Sequence, residues 1–169
     1  MRRILGIDPG SRVTGYGIIV SDGSRSRHIA SGCIRLEGED FSMRLGEIYR
    51  RIAGLVAEFA PEELAIEQVF VARNPSSSLK LGQARGAAIC AAVVAGLPVS
   101  EYTPRMIKLS VVGTGGADKE QVQHMVRRLL GLQEKLLPDQ ADALAVAISH
   151  AHSSGHWLKR SRVTAGRRP

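Results

Sequence analysis

The hydrophobic period of this chain changes near residue 40, from strands alone to helices alternating with strands, and that change restricts the folds open to it more than any single motif. Before it, apolar stretches are short and broken by turn residues. Arg3 to Asp8 reads as a buried strand and Val13 to Val20 as a second, joined by the turn Asp8-Pro9-Gly10-Ser11. Gly15 and Gly17 lie in the second strand. Serine, glycine and Asp22 mark another turn, and His28 to Leu36 reads as a third strand. Connections this short predict an antiparallel meander, because a parallel pair needs a crossover of a dozen or more residues.

After the change, helices alternate with strands. Leu45, Ile48, Tyr49, Ile52, Leu55, Val56 and Phe59 follow the three-and-four spacing of an amphipathic helix. Asp40 or Ser42 is placed to cap its start, and Pro61 follows its end. Leu64 to Glu67 is a short apolar strand. Ser76 to Ser78 can cap a helix reaching about Ala95, with Gly96 as its stop. Val99 to Tyr102 reads as a fifth strand, and Thr103 caps a short helix with Pro104 in its first position. After the loop Gly113 to Gly116, Val122, Met125, Val126, Leu129 and Leu130 form another stripe, ended by Gly131. Pro138 opens a last helix, with Leu144, Ala145 and Ile148 on its buried face and Asp139, Asp142, Val146 and Ser149 on a separate one. A meander continued by parallel crossovers is an α/β fold: a mixed five-stranded sheet flanked by helices on both faces, the ribonuclease-H-like architecture.

Composition fits one domain. The apolar fraction of 44% suffices for a core, and no apolar run approaches the roughly 20 residues that span a bilayer. The apolar stretch at the amino end is too short and strand-like for a secretory signal, so a cytoplasmic location is expected. Cys33 and Cys90 lack CxxC spacing and read as buried, reduced thiols. The net charge of +7 is unevenly spread. Lys159, Arg160, Arg162, Arg167 and Arg168 stand in an acid-free terminus, and without them 18 basic residues face 16 acidic ones. The expectation is a domain over residues 1–153 and a basic, disordered tail over 154–169, either solvated or weakly phosphate-binding. Among His150, His152 and His156, spacing alone does not define a zinc site.

Two apolar runs end in acids: Ile4-Leu5-Gly6-Ile7 before Asp8, and Leu64-Ala65-Ile66 before Glu67. A carboxylate closing a buried strand sits at the rim where α/β sheets bind ligands. If the two strands are neighbours, the two anions repel unless a cation neutralises them, and hard divalent ions take oxygen ligands. Asp139 and Asp142, three apart, share one helix face. Singly, each acid has a structural explanation: Asp8 can begin a turn, Glu67 can be a surface charge, and Asp139 and Asp142 can cap or favour a helix start. Jointly, two strand ends and one helix start converge in this topology.

Longer blocks then carry a resemblance. Ile4-Leu5-Gly6-Ile7-Asp8-Pro9-Gly10-Ser11-Arg12-Val13-Thr14-Gly15-Tyr16-Gly17 resembles the opening of the bacterial RuvC resolvases, endonucleases of four-way (Holliday) junctions. Ala65-Ile66-Glu67-Gln68-Val69-Phe70, Leu79 to Gly86, Gln121 to Val126 and Asp139-Gln140-Ala141-Asp142-Ala143-Leu144-Ala145 do the same, so the likeness runs from about residue 3 to 152. It implies that Asp8, Glu67, Asp139 and Asp142 are catalytic and hold magnesium, with manganese able to substitute and two ions per site. It implies that Phe70 engages unpaired bases at the junction centre, with Arg73 and Asn74 of the following loop against DNA. Lys108 and Lys119 match basic residues near the cleaved backbone. The implied products carry 5′-phosphate and 3′-hydroxyl ends. The implied partners are junction DNA, a second copy in a homodimer, and the RuvA and RuvB branch-migration machinery.

Two other classes fit less well. An ATP-binding protein of the actin and sugar-kinase type shares the core fold, but needs two domains, and no GxxxxGK[ST] sequence is present. A non-catalytic DNA-binding module would set four acids against phosphate, which repels. Phe70, read alone, favours the core over a DNA contact, since Phe is usually buried, and only the resemblance reverses that reading.

Overall fold

The structure is a computed structural model that describes residues 1–70 and 74–164, with 154–164 described as backbone alone. In chain order the elements are β1 (Arg2–Asp8), β2 (Val13–Ser21), β3 (Ser26–Arg35), α1 (Phe41–Phe59), β4 (Glu63–Glu67), α2 (Pro75–Val94), β5 (Val99–Tyr102), α3 (Pro104–Val112), α4 (Lys119–Leu130) and α5 (Pro138–Thr164). The sheet order is β3-β2-β1-β4-β5. β1, β2 and β3 pair antiparallel, while β1 with β4 and β4 with β5 pair parallel. This is the expected mixed five-stranded sheet.

Strand alternation divides the core in two. Leu5, Ile7, Ile18, Leu64 and Ile66 pack on α1 and α2, through Ile48, Ile52, Ala84 and Ala88. Ile4, Ile19, Ala65 and Tyr102 face the other way, against α3, α4 and α5. Helix starts follow local chemistry. Asp40 caps α1, accepting from the Ser42 and Met43 amides. Asn74, rather than Ser76 to Ser78, caps α2, with Pro75 in the first turn. Thr103 caps α3 as its sequence indicates, and Asp118 and Gln121 form a reciprocal capping box on α4. Gly131 ends α4 in the left-handed region, at φ 66°.

The last helix departs from its sequence pattern. Every residue from Ala143 to Ala151 is buried, so Val146 and Ser149 belong to the interior and not to an open acidic face. α5 lies between the sheet and the α3–α4 pair, and a helix covered on all sides is apolar all round. Its backbone continues to Thr164, so the boundary expected at 153/154 falls within a helix, and residues 165–169 lie outside the described residues. Cys33 is partly buried, but Cys90 is exposed on α2, whose buried residues are Ala84, Ala88, Ala91 and Ala92. Among the described residues, no helix is long and apolar enough to cross a membrane.

Candidate active site

β1 and β4 are parallel neighbours, with Ile7 opposite Ile66, so the next residues, Asp8 and Glu67, end side by side at one rim of the sheet. Period two puts both on the α5 side, with Ile4 and Ala65. The strands let α5 come unusually near. A Cβ on Gly15, the partner of Asp8 across the β1–β2 ladder, would lie 2.0 Å from the Asp139 carbonyl oxygen. A Cβ on Gly6 would lie 2.2 Å from the Ala143 carbonyl oxygen, and one on Gly17 would meet Leu144 at 2.7 Å. Glycine is required at these places because helix backbone occupies the side-chain space. Gln140 fastens the same turn: its amide nitrogen donates to Ser31 Oγ at 2.8 Å, and its oxygen accepts from the Leu137 amide at 3.0 Å. The acidic turn of α5 is thereby held over the ends of β1 and β2.

Asp8, Glu67 and Asp142 line a cleft of about 310 Å³ with Lys108 and Lys119, walled by Pro104, Ile107, Val122 and Ala145. Asp139 is outside that lining, yet its charge acts on both Asp8 and Asp142. Lys119 Nζ stands 3.6 Å from Asp142 Oδ2. Burial, and after it the charges of Glu67, Asp142 and Asp139, push the Asp8 carboxyl up to about 8, with Lys119 opposing. Burial and then Asp142 push Glu67 up to about 6, against Lys119 and Lys108. Asp142 is raised by burial, and Lys119 partly offsets this. The two lysines do not offset burial and mutual repulsion, so the carboxyls resist ionising together without a further cation. A crowded set of hard oxygen donors in that state suits a magnesium-like cation better than a soft or monovalent one. The fit is one of donor chemistry: among the described residues no three His, Cys, Asp or Glu side chains form a preset ligand group.

The other sequence-indicated residues are dispersed. Phe70 is 61% exposed just past β4, which removes the core alternative. It borders a second cleft of about 260 Å³ with Gln68, Ser78, Gly82, Arg85 and Glu101. Asn74 spends its side-chain oxygen capping α2, a duty that any DNA contact would share. Arg73 lies outside the described residues. His150 and His152 turn to different partners, Tyr102 and Glu63 for one and Ser110 for the other, while the His156 side chain lies outside the described set.

Arg85 and Gln140 also build the site, and neither belongs to the hydrophobic pattern or to the acidic set. Arg85 Nε donates to the Glu67 carbonyl at 3.1 Å and its Nη2 meets Glu101 Oε2 at 2.7 Å, so it holds the end of β4. An arginine in a helix otherwise rich in alanine and glycine was the available signal.

Known proteins resemble this chain over nearly its whole length. The family model described as crossover junction endodeoxyribonuclease RuvC matches residues 4–150. The chain is 59% identical over 166 residues to the crossover junction endodeoxyribonuclease RuvC of Tolumonas auensis, covering 98% of this chain and 96% of that one. It is 56% identical over 163 residues to that of Marinobacter nauticus, covering 96% and 93%. Among solved structures it is similar to Thermus thermophilus RuvC in complex with a Holliday junction substrate, with a TM-score of 0.87 and 36% identity over 93% of this chain and 97% of that one. The yeast mitochondrial Holliday junction resolvase Ydc2 shares the fold, with a TM-score of 0.70 at 14% identity over 96% of this chain and 84% of that one.

Proposed function

Since this chain belongs to the crossover junction endodeoxyribonuclease RuvC family, we propose that it resolves four-way DNA junctions by paired nicks, hydrolysing phosphodiester bonds to leave 5′-phosphate and 3′-hydroxyl ends. The observation that carries this reading is the convergence of Asp8, Glu67 and Asp142 with two lysines in one cleft at the sheet rim. Asp8, Glu67, Asp139 and Asp142 are the residues that would hold magnesium, or manganese in its place, with room in the chemistry for two ions. What such ions supply when bound is Lewis acidity, which lowers the pKa of an attacking water and stabilises the leaving 3′ oxygen.

The protein's own groups do the remaining work. The carboxylates set where positive charge collects, and Ile107 and Val122 give the cleft an apolar wall. Lys108 and Lys119 face the same cleft and would balance charge gathering on the phosphate in the transition state. The exposed ring of Phe70 offers a face to a base displaced from its stack, a contact worth ~1–3 kcal/mol. Arg73 and Asn74, next along the chain, would add backbone contacts. The nuclease unit is assigned to residues 1–153, a boundary that keeps the enclosed part of α5, Ala143 to Ala151, and leaves out its continuation to Thr164. A homodimer would present one such site to each of two opposite strands of a two-fold junction. RuvA and RuvB would be its branch-migration partners, and a cytoplasmic location suits a DNA substrate.

The test is cutting of a synthetic four-way junction beside duplex DNA, with magnesium and with chelator. Magnesium-dependent cutting of the junction alone is expected. Asp8→Asn, Glu67→Gln, Asp139→Asn and Asp142→Asn should each lower it by at least about a hundredfold while junction binding survives, on the scale of losing a group aimed at the transition state. Junction binding with no cutting by the parent protein would overturn the assignment. Wild-type cutting by any one variant would remove that residue from the required set.

A further inference from the structure

β4 and α5 are tied at two levels on the same side of the sheet. At the rim, Glu67 and Asp142 share the cleft, and they repel. At the other end of β4, Glu63 Oε2 is hydrogen-bonded to His150 Nε2. Around that pair, Arg2 Nη1 reaches both Glu63 oxygens at 2.8 and 3.2 Å, and His150 Nδ1 lies 2.7 Å from Tyr102 Oη. The His150 and Tyr102 rings meet edge-on, with centroids 5.7 Å apart, and both side chains are buried. One network thus joins β1, β4, β5 and α5. None of its four residues lines the carboxylate cleft.

The spacing of the two levels matches. Asp142 to His150 is eight residues, or about 12 Å of helix rise. Glu63 to Glu67 is four residues, or about 13 Å of strand. Between the levels Leu144 lies on Gly17 of β2, whereas on β1, beside β4, only Ala143 and Ala147 lie on Gly6. Alanine over glycine gives little interdigitation to resist sliding along the helix axis. Gln140 ties the first turn of α5 to Ser31 on β3, and the Glu63–His150 pair is the tie to β4 itself, the strand whose Glu67 repels Asp142.

We propose that His150 and Glu63, backed by Tyr102 and Arg2, are positioning residues that fix the axial register of α5 on β4 and so set the separation of Asp142 from Glu67. This rests on the carboxylate cleft being the catalytic, cation-holding site. The histidine suits the task because its two ring nitrogens engage two strands at once, and the carboxylate because it is clamped by Arg2 from a third.

The experiment uses full-length protein and three readouts: calorimetric binding of manganese, junction affinity without divalent ions, and single-turnover cutting across a magnesium series. His150→Ala should weaken manganese binding about tenfold, as loss of groups that orient ligands does. It should slow cutting by up to about a hundredfold, the scale of an ångström-sized misplacement. Metal-free junction affinity should not change. His150→Gln, whose amide can still donate to Glu63, should recover most of both losses. If His150→Ala does not fold, Glu63→Gln carries the test, with an expected severalfold loss of manganese affinity at unchanged junction binding. Parent-level manganese affinity and cutting in a folded variant would overturn the proposal, as would losses that follow melting temperature alone and spare no readout. A parent protein that binds manganese but cuts no junction overturns the assigned function and leaves the register to be judged on manganese binding. A parent that binds no manganese overturns both.

Discussion

Asp8 sits where burial and three neighbouring carboxylates act in one direction, and its carboxyl is pushed up to about 8 from an ordinary 3.8. The folded protein therefore binds this proton more tightly than the unfolded chain. That stabilisation is complete below about pH 4 and is lost as pH rises through about 8. Glu67 adds a like effect between its ordinary 4.5 and about 6. Metal-free protein should accordingly gain from Asp8→Asn at pH 8, by up to a few kcal/mol, and the variant's melting should depend less on pH. Melting curves in chelator check this, and a variant that melts below its parent at pH 8 would contradict it. Magnesium should raise the parent's melting temperature and the variant's less. Phe70 differs, because its ring is mostly in solvent. Phe70→Ala should change stability by less than about 0.5 kcal/mol, yet lower single-turnover cutting more than junction affinity, since phosphate contacts dominate affinity. Equal losses in cutting and affinity would remove its positioning role. Both acids at strand ends were readable from the apolar runs before them. Their pKa values were not, because burial and mutual repulsion arise only when β1, β4 and α5 meet.

Among the elements, α5 is the one whose sequence misleads. Its acids suggest a separate face, whereas the helix is enclosed from Ala143 to Ala151, and α3 and α4, the two elements before it in the chain, supply the cover. The glycines that admit it were visible as residues but not as a docking surface, since Gly6, Gly15 and Gly17 become one patch only after β1 and β2 pair. Gly15→Ala should place a methyl inside the first turn of α5 and displace Asp139. We expect a loss of about 1–3 kcal/mol from overpacking, with cutting falling further than stability explains. Gly54 in α1 is the contrast, with nothing within 4 Å of an added Cβ. Gly54→Ala should stabilise by about 0.5–1 kcal/mol through helix propensity and leave cutting unchanged. Chemical denaturation and junction cleavage of the two variants decide both expectations. A Gly15→Ala protein that cuts normally would show that the first turn of α5 can move without disturbing the site.

For the whole molecule, positive charge is concentrated at the carboxyl end, from the last turns of α5 onward. Lys159 to Pro169 holds five of the basic residues behind a net charge of +7, and none of the proposed catalytic groups. Removing it should weaken DNA binding at low salt and make the dependence of log affinity on log salt shallower, while preference for a junction over duplex persists. Affinities for both DNAs across a salt series test this, and loss of preference on truncation would move specificity into the terminus. The sequence by itself determined the strand meander, the helix–strand alternation, most helix ends and the identity of the acids, because periodicity, caps and turns are local and act within a few residues. It also carried the family likeness over residues 4–150. Only the tertiary structure decided that Phe70 is exposed, that Cys90 faces outward, that Arg85 reaches Glu67 and Glu101, that Gln140 reaches Ser31, and that Glu63 meets His150. Those outcomes depend on contacts between residues tens of positions apart, such as the 87 that separate Glu63 from His150, and exposure or partnership at that range is set by how the layers stack rather than by any local preference of the chain.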